Sequence, residues 1–261
     1  MKPNKYSGKF IVFEGIEGSG KTTQVQMLAE WMANNGHKAL PTREPTKDLL
    51  FGKLALSIYQ AASVQNNLWG EFNRLQEGQE YQDIKSVSPK PKLQRLEEFE
   101  SLASKIFRGE NEDVAKLLQI IITLDRHDHL IKVITPALQA GAYVISDRYF
   151  ASTPAYSAAN GLDWRPFFDM QYEICGEEFL RPDLMIYIDI DPKIGLERTY
   201  KKQVDRKEYF DSLDRQINVR RAYLELFDEP RINSINLVKL DGAEAPEKIH
   251  EKVWEIIQGF L

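Results

Sequence analysis

Near its amino terminus the chain reads Phe10-Ile11-Val12-Phe13-Glu14-Gly15-Ile16-Glu17-Gly18-Ser19-Gly20-Lys21-Thr22-Thr23. Residues 15–22 match the pattern Gly-x-x-x-x-Gly-Lys-Thr, and they stand between a short apolar run and a segment with helical spacing. Glycines let the backbone N–H groups of such a loop turn inward onto a triphosphate, and the following helix adds its partial positive charge. The stretch therefore predicts a strand, a phosphate-binding loop and a helix, in that order.

The loop suggests roles for two of its side chains. We expect Lys21 to reach the β- and γ-phosphates of a nucleoside triphosphate, and the hydroxyl of Thr22 to bind Mg²⁺. An exposed lysine on a glycine-rich turn is the alternative, and the strand and helix around the motif argue against it. The predicted contacts to the triphosphate are Gly15, Ile16, Glu17, Gly18, Ser19, Gly20, Lys21, Thr22 and Thr23.

Composition limits the class of protein. The 261 residues include 34 Lys and Arg against 39 Asp and Glu, a formal charge of −5. We therefore expect no binding to nucleic acid or to an anionic membrane, and any phosphate site must be local. Because Cys175 is the only cysteine, an internal disulfide and a multi-cysteine metal site are excluded. The polar residues 1–9 and the short apolar run after them predict a cytoplasmic protein without a signal peptide or membrane span.

Short apolar runs alternate with helix-length segments along the chain. This alternation is typical of an α/β domain with a parallel sheet, here of five strands, and helices on both faces. Ligands of such sheets bind outside the carboxyl ends of the strands, so we expect the phosphate loop, Arg43-Glu44-Pro45 and Asp147-Arg148 to meet in one crevice. The predicted strands are 10–13, 38–42, 143–146, 184–190 and 235–240, and the predicted helices are 23–35, 114–140, 192–202, 213–228 and 246–260.

A polar segment rich in Gln and Glu, about 63–111, interrupts the alternation. Residues 86–92 contain two prolines and predict a loop or linker. The apolar residues that follow lie on one helical face: Leu93, Leu96, Phe99, Leu102 or Ala103, and Ile106. We interpret the segment as an insertion whose helix packs on the parent domain, and a partner-binding helix is the alternative.

A buried-strand pattern over residues 143–146 delivers Asp147 and Arg148 to the edge of the sheet. Phosphoryl transfer depends mainly on positioning, metal ions and cationic clamps. We predict that Asp147 helps to hold Mg²⁺, directly or through water, and that Arg148 clamps phosphate. Arg43 can point into the same crevice, because Pro45 restricts the chain after the second strand. A structural Asp–Arg pair and a solvated Arg43 are the alternatives.

A charged run, Asp125-Arg126-His127-Asp128-His129, interrupts the apolar stripe of the long predicted helix. Such a run would normally form a surface face. His127 and His129 are two residues apart and lie on different helix faces, so a shared metal is not expected.

Together these segments resemble the thymidylate kinase family of nucleoside monophosphate kinases, which have a P-loop NTPase fold. The likeness covers nearly the whole chain except about 63–111. It rests on residues 13–23, Arg43-Glu44-Pro45, Leu124-Asp125-Arg126, residues 146–156 and Arg181-Pro182-Asp183-Leu184.

The resemblance implies a single kinase domain over residues 1–261 that transfers the γ-phosphoryl group of ATP, with Mg²⁺, to dTMP. It also implies a homodimer through helices that include the 114–140 stretch. A kinase for another deoxynucleotide or a deoxynucleoside is one alternative. A regulatory protein that binds ATP with weak turnover, and uses the insertion as its contact surface, is another.

The resemblance further implies roles in phosphate binding. Lys21 and the loop amides would hold ATP, while Arg43 and Arg148 would clamp the acceptor phosphate. The segment of about 198–210 resembles the family's lid over the donor, with Arg206 as the candidate for the lid arginine. The predicted catalytic residues are Lys21, Arg43, Asp147, Arg148 and Arg206.

For the acceptor nucleoside, the resemblance implies that Glu17 contacts the sugar 3′-hydroxyl and that Tyr156 disfavours a 2′-hydroxyl. Arg126 and Thr153 match positions that meet the pyrimidine base. Ile122 stands where the family usually places a phenylalanine that stacks on thymine, so the base preference is the open question.

Overall fold

Five parallel strands form the central sheet in a computed structural model that describes residues 1–60, 76–107, 114–202, 213–232 and 234–259. They are β2 (Lys9–Glu14), β3 (Ala39–Arg43), β4 (Tyr143–Asp147), β6 (Leu184–Asp189) and β7 (Leu237–Asp241), in the order β3-β4-β2-β6-β7. This confirms the predicted α/β fold and its five strands. Two further strands of two residues each, β1 (Lys2–Pro3) and β5 (Leu180–Arg181), pair with each other and are too short to leave a pattern in the sequence.

Eleven α-helices lie in the described ranges. They are α1 (Lys21–Asn34), α2 (Leu50–Gln60), α3 (Gln79–Val87), α4 (Lys90–Phe107), α5 (Val114–His129), α6 (Thr135–Gln139), α7 (Ser152–Ala159), α8 (Arg165–Cys175), α9 (Pro192–Lys202), α10 (Leu213–Phe227) and α11 (Pro246–Gln258). A π-helical stretch, Leu130–Ile134, joins α5 to α6. The predicted 114–140 helix is therefore continuous, with its irregular turn just before Pro136.

Both faces of the sheet are covered. Along β2, Phe10 and Val12 belong to the larger apolar core, whereas Ile11 and Phe13 belong to the smaller one. This follows from the two-residue repeat of a strand. Helices α1 and α11 pack over the smaller core, and α5, α7, α8 and α10 contribute to the larger one. Because both faces of β2, β4 and β6 are buried, these central strands read as largely apolar runs.

Helices α3 and α4 occupy the described part of the predicted insertion. Leu96, Phe99 and Leu102 of α4 are buried in the larger core, as expected for a helix that packs on its parent domain. The predicted loop over 86–92 is wrong for most of its length, because only residues 88 and 89 separate the two helices. Pro91 is accommodated in the first turn of α4, where a backbone N–H has no helical partner.

Helix α5 is enclosed within the single chain. Every residue from Leu117 to Arg126 is buried, so this stretch presents no apolar face to a second copy. Among the described residues, no helix is both long and apolar enough to cross a membrane.

Candidate functional site

The carboxyl ends of three neighbouring strands bring the predicted phosphate-binding residues together. Asp147 at the end of β4 is paired with Phe13 of β2 on one side and with Arg43 of β3 on the other. The loop from Gly15 to Gly20 leaves β2 at this level and leads directly into α1. The crevice predicted from the order of the elements therefore exists, with Arg43 exposed at its rim.

Two glycines of the loop are required by close backbone approach. A Cβ atom on Gly15 would lie 2.6 Å from the carbonyl oxygen of Ile188, and one on Gly18 would lie 2.0 Å from that of Gly195. Gly18 also has a φ of 71°, a left-handed conformation that favours glycine. The loop thus packs tightly on β6 and α9, and its shape depends on these two residues.

Lys21 opens α1 and is 5% exposed. Its Nζ donates to the carbonyl oxygen of Ile16 at 2.7 Å and to the hydroxyl of Ser19 at 3.3 Å. Burial lowers the pKa of Lys21 to about 8, although the neighbouring Glu17 and Asp147 carboxylates oppose the shift. The ammonium is therefore held inside the loop that it is predicted to serve, where an added anion would favour its charged form.

Thr22 and Asp147 form the candidate metal site. The Thr22 hydroxyl donates to Oδ2 of Asp147, while Oδ1 is buried and has no hydrogen-bond partner among the described residues. Mg²⁺ prefers oxygen ligands and is usually bound through one or two carboxylates together with substrate phosphates. The hydroxyl, the unpaired carboxylate oxygen and the adjacent phosphate loop therefore fit such an ion. No group of three or more His, Cys, Asp or Glu within the described ranges is placed to hold a metal alone.

Arg148 lies between the loop and α7. It has a φ of 76°, rare for a residue with a side chain and often found at functional sites. Its guanidinium donates to the Gly15 carbonyl oxygen at 3.1 Å, to the Tyr156 hydroxyl at 3.0 Å and to Glu17. Desolvation acts to raise the pKa of Glu17, but the charges of Arg148 and Lys21 outweigh it and lower the pKa to about 2. In this cluster the Arg148 guanidinium is paired with the Glu17 carboxylate of the loop.

Sequence reasoning missed the support beneath this cluster. Glu14 is fully buried at the end of β2 and accepts from the Tyr149 N–H, the Ser152 hydroxyl and the Tyr223 hydroxyl at 2.7–2.9 Å. Ser152 and Tyr223 in turn accept from Arg148 at 3.3 and 3.5 Å. A carboxylate at the end of an apolar strand, just before Gly15, is the signal that could have identified Glu14.

A second set of predicted residues lies in a buried network instead of the open crevice. Arg126 is 0% exposed. It donates to Glu44 at 2.8 Å, to the Thr153 hydroxyl at 3.0 Å, to the Tyr149 carbonyl oxygen at 2.9 Å and to the Gln171 side chain. These bonds occupy every nitrogen of the guanidinium. Nε2 of Gln171 is buried and lacks an acceptor within the described part of the chain.

The expectation that residues 125–129 form a surface face is wrong. Four of the five residues are buried, namely Asp125, Arg126, Asp128 and His129. Each of them has a polar partner from another element. His129 lies between Thr42 and Glu44. Its Nε2 is 2.7 Å from the Thr42 hydroxyl, and its Nδ1 is 3.3 Å from Oε1 of Glu44. The charges are tolerated inside because each is hydrogen-bonded or paired.

The remaining predicted residues are placed less closely around the crevice. Ile122 is 9% exposed and belongs to the larger core. Arg206 and most of the predicted lid lie outside the described residues. Arg198, at the start of that lid, donates to the carbonyl oxygen of Gly242 at 2.6 Å. Arg215 of α10 lies 6.0 Å from the ring of Tyr156 and was not singled out from the sequence.

The chain is similar to known proteins along nearly its whole length. A family model described as thymidylate kinase matches residues 13–69 and 72–253. The chain is 31% identical over 256 residues to a probable thymidylate kinase from Thermococcus kodakarensis, covering 97% of this chain and 98% of that protein. It is 33% identical over 255 residues to one from Pyrococcus horikoshii, with 96% of each covered. For the thymidylate kinase of Pelobacter propionicus the identity is 30% over 253 residues, covering 94% and 92%.

Proposed function

Because this chain belongs to the thymidylate kinase family, we propose that it transfers the γ-phosphoryl group of ATP to dTMP, giving dTDP. The observation that supports the proposal most is the meeting of Lys21, Asp147 and Arg148 around one phosphate loop at the carboxyl edge of the sheet. The names of the curated relatives support the acceptor. Phosphoryl transfer needs positioning and cationic stabilisation more than covalent catalysis, and this edge supplies both.

The donor half is formed by the loop and α1. We infer that the loop N–H groups hold the ATP phosphates at the positive end of α1. Lys21 then exchanges the Ile16 carbonyl oxygen for a phosphate oxygen. Thr22 and Asp147 would hold Mg²⁺, which when bound supplies charge neutralisation on the phosphate oxygens.

The clamp of the acceptor phosphate is assigned to Arg148 and Arg43. Arg148 is paired with Glu17 and Tyr156 in the structure, so an entering phosphate competes with a carboxylate that is already in place. We infer that the phosphate takes the Arg148 contact and releases Glu17 toward the sugar 3′-hydroxyl. Arg43, exposed at the rim, approaches from the β3 side. The acceptor phosphate carries its own negative charge, so no general base is required.

The proposed contact between Arg126 and the base is the contact that the structure restricts most. Arg126 has every nitrogen engaged, so direct contact with a pyrimidine requires Thr153 or Gln171 to release it. Ile122 offers an aliphatic surface in place of an aromatic ring. This observation favours the second candidate, a kinase for another deoxynucleotide or deoxynucleoside, more than any other feature of the site.

A coupled assay of ADP release across dTMP, dUMP, dCMP, dGMP, dAMP and thymidine separates these candidates. We expect dTMP to give the highest kcat/KM. A clear preference for another acceptor would move the assignment to that substrate. ATP binding without transfer to any of them would instead support a regulatory protein.

The variants Lys21→Ala and Arg148→Ala test the mechanism. We expect each to lose phosphoryl transfer while its circular dichroism spectrum and thermal unfolding stay close to those of the wild type. Near-normal turnover in either variant would contradict the assigned roles.

Three further features remain proposals from the family resemblance. We propose a single kinase domain with a lid that includes Arg206 and an insertion over about 63–111. We also propose a homodimer, for which light scattering is the direct test. Because residues 117–126 are buried within one chain, the 114–140 stretch would contribute to the interface only through its other residues, such as the exposed Ile131.

A further inference from the structure

Helix α4 packs against both α5 and α8, the two helices whose side chains meet at Arg126 and Gln171. Leu96 and Phe99 on its apolar face are fully buried in the larger core, to which α5 and α8 also contribute. Because α5 and α8 also contact each other directly, α4 is one of the contacts that fix their relative placement. The acceptor side of the proposed site depends on that placement.

Lys92, in the first turn of α4, is 3% exposed. Its Nζ lies 2.9 Å from Nδ1 of His127 and 3.4 Å from Oδ1 of Asp128. Asp128 is 1% exposed, so the two groups form a buried ion pair between α4 and α5. Burial acts to raise the pKa of Asp128, but His127 and the Lys92 and Lys132 ammonium groups outweigh it and lower that pKa.

Helix α3 supports the same pair from the outside. Lys132, in the π-helical stretch after α5, is 3.3 Å from Asp128 and 2.7 Å from Glu80 of α3. Charges of alternating sign thus run from Glu80 through Lys132 and Asp128 to Lys92. Removing one partner of a buried pair leaves the other charge buried and uncompensated.

A second link joins α4 to α8. Arg95 donates to Glu173 through Nε at 3.0 Å and also through a terminal nitrogen. Glu173 is two residues after Gln171, so α4 is attached to both helices close to the residues that converge on Arg126.

We propose that helix α4 holds α5 and α8 in place behind the acceptor site, and that Lys92 is a positioning residue for acceptor binding. The inference deepens the proposed function and rests on it. It assigns the described part of the predicted insertion, residues 76–107, to the catalytic domain and argues against a separate partner-binding helix there. A shift of about 1 Å in a positioning element is enough to reduce activity by as much as 100-fold, so the loss of one anchor is measurable.

The test compares Lys92→Met, which keeps the aliphatic stem and removes the charge, with Lys90→Met, an exposed control on the same helix. Kinetics use the monophosphate that the wild type prefers. For Lys92→Met we expect the acceptor KM to rise about tenfold, within the range for a misplaced positioning element, while the ATP KM changes less than about twofold. Lys92→Arg, which restores the charge, should recover most of the loss, and Lys90→Met should behave as the wild type.

Thermal unfolding provides the second readout. Added acceptor should raise the melting temperature of Lys92→Met less than that of the wild type, because the gain depends on the ratio of ligand concentration to Kd. An unchanged acceptor KM in folded Lys92→Met would overturn the inference. An equal rise in both KM values would also overturn it, since that result indicates a general structural role.

If Lys92→Met does not fold, Lys132→Met carries the test, because Lys132 is partly exposed. For Lys132→Met we expect the acceptor KM to rise about threefold, a ratio that corresponds to the free energy of a partly exposed ion pair. An unchanged acceptor KM in Lys132→Met would overturn the inference. The proposed function is tested separately by the acceptor assay on the wild-type protein. A preference for an acceptor other than dTMP, or no transfer to any acceptor, would contradict that function.

Discussion

Replacing Asp125 by asparagine tests the energetic cost of a buried carboxylate beside the acceptor site. Asp125 is fully buried on α5. It accepts hydrogen bonds from the N–H of Thr46 at 2.8 Å and from the Thr46 hydroxyl at 2.6 Å. Burial raises the pKa of Asp125 from 3.8 to about 6, although these hydrogen bonds oppose the shift. Asparagine has nearly the same shape and cannot ionise, so it removes the pH-dependent part of this interaction.

The direction of the effect follows from proton binding. Because its pKa is raised on folding, Asp125 binds a proton more readily in the folded state than in the unfolded chain. Its contribution to stability therefore increases as the pH falls through 6 towards 3.8 and is absent well above pH 6. A pKa difference of roughly two corresponds to about 3 kcal/mol in full, of which about 1.4 kcal/mol develops between pH 7.5 and pH 5.

Urea unfolding of wild type and Asp125→Asn at both pH values measures this quantity. Titration of other groups largely cancels in the difference between the two proteins. We expect the free energy of unfolding of the wild type, relative to the variant, to increase by about 1.4 kcal/mol at pH 5. Asp48→Asn, at an exposed carboxylate, is the matched control. An equal difference at both pH values would refute the reasoning, and a decrease at pH 5 would show that Thr46 stabilises the ionised form.

Three further predictions concern the core, the metal site and the clamp. Phe99→Ala should lower the free energy of unfolding by about 3–5 kcal/mol because it leaves a cavity at a buried position. Val87→Ala, at an exposed position, should change that free energy by less than about 0.5 kcal/mol. Chemical denaturation measures both values, and a small loss for Phe99→Ala would place α4 outside the core. Removal of divalent ions should abolish transfer, and Asp147→Asn should raise the Mg²⁺ concentration needed for half-maximal rate; an unchanged Mg²⁺ titration would exclude Asp147 as a ligand. Arg148→Lys keeps the charge but loses the planar fork, so kcat should fall at least about 100-fold, and a loss below about threefold would mean that charge alone suffices.

Much of the crevice could be predicted from short stretches of sequence. The loop between β2 and α1 is specified by Gly15, Gly18 and Gly20 followed directly by Lys21 and Thr22. The alternation of apolar runs predicted the parallel sheet. Since parallel strands present their carboxyl ends at one edge, the meeting of Arg43, Asp147 and the loop followed without any knowledge of long-range contacts. The structure confirms this part of the site.

The buried polar network could not be predicted in the same way. Helical spacing shows which side chains share a face of α5, but it does not show what covers each face. Arg126 is enclosed by Glu44, Thr153 and Gln171, which lie 82, 27 and 45 residues away in the sequence. A charged run is stable in the interior only when partners from such distant segments pack against it. The composition of residues 125–129 alone therefore favoured a surface position for the run.

The sequence by itself determined the order of the elements, the phosphate loop and the family likeness, because these depend on local backbone preferences and on consecutive residue types. Only the tertiary structure decided that Asp125, Arg126, Asp128 and His129 are buried and that Arg126 is fully hydrogen-bonded. It also decided that Lys92 is buried against Asp128. These outcomes depend on elements distant in the sequence that pack against α5, and the burial of a charge is decided by partners that local patterns do not contain.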